Sequence, residues 1–67
     1  MLYYVNRNKQ ANGDHEVHTA NCIYLPSEPR RMYLGDFTSC KGAVEESKNY
    51  YPQSNGCKTC SNECHTG

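Results

Sequence analysis

The chain has 67 residues, balances seven basic against seven acidic side chains for no net formal charge, and holds five cysteines and three histidines in a composition only 36% hydrophobic. So short a chain is one domain at most, residues 1–67, and burial worth about 25 cal/mol per Å² barely offsets about 1.5 kcal/mol of ordering entropy per residue; disulfides, a structural metal or self-association must add to it. Balanced charge with no basic block longer than Arg30-Arg31 gives no support to strong nonspecific nucleic-acid binding, which needs clustered phosphate contacts, although it leaves room for a modest local patch.

In chain order, MLYYV is apolar for five positions and runs into the polar NRNKQANGD, so neither a signal-peptide core nor a membrane span is expected. Met1 to Val5 is aromatic and β-branched enough for a strand. Asn12-Gly13 supplies a turn dipeptide before a second short run, His15 to Thr19, which predicts a hairpin with a long, loose connection. Ala20 to Arg31 contains Pro26 and Pro29, each without an amide donor, and reads as loop. Met32 to Leu34 is a brief third strand closed by Gly35. From Ser39 onward, Cys40, Ala43, Val44, Ser47, Tyr50 and Tyr51 recur at the helical period and predict a helix of about three turns. Ser39 or Thr38 can cap its first turn, Glu45 and Glu46 sit in its first half where the helix dipole favours acids, Gly42 weakens its start, and Pro52 stops it. Gln53 to Gly67, rich in Ser, Asn, Gly and Cys, builds no core of its own, so covalent or metal bonding must order it. The expected fold is α+β: a small antiparallel sheet of two or three strands with one helix packed on it.

A cytoplasmic, reducing setting is the default expectation, and there closely spaced cysteines in odd number favour metal over disulfides. In the stretch HEVHTANC the histidines stand three apart rather than the four that a metalloprotease helix needs, and on a strand His15 and His18 point to opposite faces. The useful pairs are His18-x3-Cys22 and Cys57-x2-Cys60, four borderline-to-soft donors that suit a closed tetrahedral zinc site. Gly56 relieves backbone crowding at the second pair. Structural zinc contributes about 10 to 16 kcal/mol in zinc-finger peptides, enough to dominate so small a chain. Cys64 or His65 competes for a ligand position. Cys40, on the helical stripe, reads as a buried free cysteine acting as a small hydrophobe, while a Cys40–Cys64 disulfide would use both spare thiols. His15 and His65 are expected in solvent, with Glu16 a bystander. Cys60 to His65 is one residue too long for haem attachment, and Cys57-x2-Cys60 lacks the preceding strand and following helix that activate a redox thiol. The six tyrosines, paired at Tyr3-Tyr4 and Tyr50-Tyr51, mainly cover the core, with base stacking or partner anchoring as the alternative.

The order H-x3-C, a short strand ending near Phe37, a capped helix with Ala43 and then G-C-x2-C resembles the zinc-binding N-terminal domain of the Ada methyl-phosphotriester repair protein and its small relatives, over roughly residues 14 to 60. The resemblance implies zinc held by His18, Cys22, Cys57 and Cys60. In that family the first of four cysteines is also the methyl acceptor; here the position is His18, which has no thiolate to alkylate. The implied role is a zinc-stabilised, non-catalytic binding module for a protein or nucleic-acid partner, with no membrane and no small-molecule substrate, since a closed site leaves no position for substrate or water. The competing classes are a thiol enzyme, by alkyl transfer or redox chemistry at Cys57, Cys60 or Cys64, and an exported disulfide protein.

Overall fold

The computed structural model describes residues 1–66. In chain order it contains β1 (Leu2–Asn6), β2 (His15–Thr19), a 3-10 turn at Glu28–Arg30, β3 (Arg31–Asp36), α1 (Cys40–Ser47), β4 (Ser54–Gly56) and a second 3-10 turn at Asn62–Cys64. The strands form one sheet in the order β3-β1-β2-β4. The fold is therefore α+β with a single helix among the described residues. No described helix is long and apolar enough to cross a membrane.

The hairpin forms with β1 and β2 antiparallel, Tyr3 opposite Thr19 and Val5 opposite Val17. Its connection turns at Gly13, whose φ of +94° is costly for any residue with a Cβ, and the Asp14 amide donates to Asn12 Oδ1 at 2.9 Å. β3 adds antiparallel to the other side of β1. There the register slips between Tyr3 and Tyr4, so Leu34 is the extra residue of a bulge. The slip matters because side chains alternate. Without it Leu34 would share a face with Tyr4; with it Leu34 joins Tyr3, Val5, Val17, Cys40, Ala43 and Val44 in the core. Gly35, at φ +132°, carries the distortion.

Two expectations are corrected. The sheet has four strands rather than two or three, and the fourth runs parallel to β2, pairing His15 with Ser54 and Val17 with Gly56. Ser, Asn and Gly have poor strand propensity, but the outer edge of β2 offers unpaired backbone groups, and the tail satisfies them: the His15 amide donates to the Gln53 carbonyl and the Cys57 amide to the Val17 carbonyl, both at 2.9 Å. The helix ends at Ser47, well before Pro52. Ser47 is fully buried and its hydroxyl lies 2.6 Å from that of Ser54, which also donates to the Tyr51 carbonyl, so the chain turns there to reach β4. Ser39 takes the N-cap position in extended backbone but makes no side-chain capping bond.

Candidate metal centre

β2 places His18 opposite Tyr4, on the face of the sheet turned away from Val5 and Val17. The chain then turns back, with the Cys22 amide donating to the Thr19 carbonyl at 3.2 Å and the Leu25 amide to the Cys22 carbonyl at 3.1 Å, which returns Cys22 toward His18. The second pair arrives through β4. Because Gly56 is in register with Val17, the next position in each strand sets Cys57 beside His18. The Ser61 amide donates to the Cys57 carbonyl at 2.8 Å and closes the turn that carries Cys60. Gly56 is required for a reason other than the turn: a Cβ there would lie 2.7 Å from the Ser61 carbonyl oxygen and 2.8 Å from the Cys64 Cβ, so the tail could not close over β4.

The ligand atoms of His18, Cys22, Cys57 and Cys60 lie within 4.8 Å of one another. A tetrahedral ion with bonds of about 2.0 to 2.3 Å needs ligand separations of about 3.3 to 3.8 Å, so a contraction of about 1 Å completes the shell. His18 and Cys57 are buried, at 1% and 3% exposure, and Cys22 and Cys60 are half-buried. Three sulfurs and an imidazole suit a soft or borderline metal and not magnesium or calcium.

The electrostatics divide the thiols. Burial would raise Cys60, but the Thr19 amide at 3.3 Å, the Cys22 side chain and the Ser61 hydroxyl donate to its sulfur and hold it below the ordinary thiol value. Burial raises Cys22, and neighbouring Cys60 adds to the effect, against a bond from the Tyr24 amide at 3.4 Å. Burial lowers His18 against the opposing pull of Glu16, which keeps the imidazole neutral and its lone pair available.

Glu16 is not the bystander expected. Two positions from His18 on the same strand face, its Oε1 lies 3.7 Å from His18 Nε2, while Nδ1 faces the cluster at 4.0 Å from Cys60 Sγ. The signal for it was already present as the i, i+2 spacing. Cys64 stands apart from the cluster, joined to Cys40 in a disulfide, so the free-cysteine expectation for Cys40 is corrected: the second 3-10 turn packs against the helix and brings the two together on the core side. The two other histidines are half-buried rather than in solvent. His15 stacks on Tyr51 with centroids 4.1 Å apart and sets Nδ1 3.0 Å from the Asn6 carbonyl, and His65 sets Nδ1 3.0 Å from the Gly56 carbonyl. No protein-family profile, curated protein or solved structure matches the chain.

Proposed function

We propose that the chain is a zinc-stabilised binding module, without a reaction of its own, that presents a surface to a protein or nucleic-acid partner. The convergence of His18, Cys22, Cys57 and Cys60 within 4.8 Å carries this reading. Bound zinc would supply structural cross-linking and charge compensation for the thiolates, not chemistry on a substrate. His18 would coordinate through Nδ1, with the Glu16 carboxylate 3.7 Å behind Nε2 favouring a proton on that nitrogen electrostatically. The Thr19 and Tyr24 amides would stabilise the charge on Cys60 and Cys22. The pairing of H-x3-C with C-x2-C supports an Ada-like zinc domain whose acceptor position, as His18, is unfit for methyl transfer.

Native mass spectrometry with metal analysis tests the reading. One zinc ion per chain, released by chelator together with loss of the far-UV signal, is the expected result; a fully folded chain of apo mass overturns it. The Cys40–Cys64 disulfide favours a second reading, an exported domain held mainly by that bond. In that case reductant, and not chelator, unfolds the chain.

A further inference from the structure

The zero net charge conceals a local excess. Arg7, Arg30 and Arg31, three of the seven cations, gather at one end of the β1–β3 pair, and Lys9 follows in the chain two residues after Arg7. Asn6 is the register partner of Arg31, the Arg7 amide donates to the Arg30 carbonyl at 2.8 Å, and Arg7 Nε donates to the Arg31 carbonyl at 3.1 Å. Among the described residues none of the four makes a salt bridge. Glu28, in the preceding turn, is the acid nearest in sequence, and Asp36 is engaged at the far end of β3 by the terminal ammonium at 2.7 Å.

Aromatic rings adjoin this corner. Alternation puts Tyr4 and Tyr33, cross-strand partners, on the face turned away from the core, with centroids 5.3 Å apart. The Arg31 guanidinium lies 4.8 Å above the Tyr4 ring, and Tyr33 is 55% exposed. The candidate metal centre occupies the β2 side of this face. On the β1–β3 side Tyr33 is exposed while Tyr4 and Arg31 are half-buried, Arg31 Nη1 donating to the Pro26 carbonyl at 3.2 Å.

Planar π-surfaces beside cations that no carboxylate neutralises match a polyanion that carries free bases. Resting on the reading of the chain as a metal-held binding module, the geometry points to single-stranded nucleic acid as its partner. Phosphates lie along Arg7, Lys9, Arg30 and Arg31, and unpaired bases stack on Tyr33 and on the Arg31–Tyr4 pair. A duplex hides its base faces in its own stack, and an acidic peptide brings charge without planar surface, so both fit less well.

Fluorescence anisotropy of the metal-loaded full chain against a labelled oligothymidylate of about 12 nucleotides tests this. Binding should weaken with salt at a log–log slope of up to about −3, from about 0.7 per phosphate contact. Tyr33→Ala, at an exposed position, should weaken binding roughly tenfold with an unchanged melting temperature. The exposed pair Lys9→Ala and Arg30→Ala should reduce the slope by about 1.4. An abasic strand, a duplex of equal length and polyglutamate should each compete less well than the oligothymidylate. Absence of binding by a folded, metal-loaded chain overturns the proposal and leaves the zinc reading standing. Equal competition by the abasic strand or polyglutamate, with no effect of Tyr33→Ala, also overturns it, in favour of a generic cationic patch. A chain that is folded without metal sinks the zinc reading alone, and the oligonucleotide titration still decides this one.

Discussion

Around His18 stand Cys22, Cys57 and Cys60 as free thiols, whereas against the helix Cys40 and Cys64 are joined to each other. Both arrangements draw on the same short segment, by a covalent bond at Cys64 and by a candidate metal cluster at Cys57 and Cys60. Residues 57 to 64 carry two sulfurs to the His18 cluster and one to Cys40, so a metal bound at the cluster would add a second hold on a tail with little to bury. The chemistry differs with the surroundings. Two of the free thiols, Cys22 and Cys60, receive amide hydrogen bonds suited to thiolates and have His18 nearby, while Cys40 and Cys64 lie against apolar Ala43 and Val44 with no donor set to hold an ion.

The comparison breaks most sharply if the two fastenings prove unequal. Chelation, or Cys57→Ser, should abolish the folded far-UV signal even with the disulfide intact, because structural zinc is worth about 10 kcal/mol or more. Retention of the fold after chelation would transfer that weight to the disulfide. Acid should act on the same face. Burial lowers His18 below its ordinary 6.5, so its stabilising contribution is complete above that value and is lost as pH falls below it toward the native value; protons also compete for the thiolates. Metal release followed against pH should therefore be complete on the acid side, with no matching change in the disulfide.

A smaller effect is expected from Cys40→Ser with Cys64→Ser. Opening a cross-link with a sequence separation of 24 should cost about 3 kcal/mol in a denaturant titration while leaving metal stoichiometry unchanged. Loss of metal in that variant would mean that the two faces are not independent. Glu16→Gln should lower metal affinity about tenfold in chelator competition, with little change in the fold, if the carboxylate 3.7 Å from Nε2 supports His18 as a ligand. Ser47→Ala should cost about 1 kcal/mol in denaturant midpoint, by removing the partner of the Ser54 hydroxyl behind the helix end.

Local chemistry made the hairpin, the Asn12-Gly13 turn and both ligand pairs readable, since each rests on neighbours within a few residues. The helix was readable in place but not in length: the apolar stripe continues through Tyr50 and Tyr51, yet Tyr51 is taken by the stack on His15 and not by another helical turn. β4 was invisible because Ser54, Asn55 and Gly56 acquire strand conformation only from the edge of β2. The i, i+2 spacing puts Glu16 on the face of His18, but its 3.7 Å approach to Nε2 depends on the ring turning Nδ1 toward Cys60, which local sequence does not set.

The amino-acid sequence by itself determined the expectation of a cross-link beyond burial, and it named the four side chains that the structure brings within 4.8 Å, because donor type and short spacing are local properties. Which sulfurs would meet which partners was decided only by tertiary structure. The parallel register of β4 on β2 sets Cys57 against His18, the bulge at Leu34 sends the core to one face, and the packing of the last turn against the helix gives Cys64 to Cys40. Those are contacts between residues far apart in the chain, and no local preference encodes them.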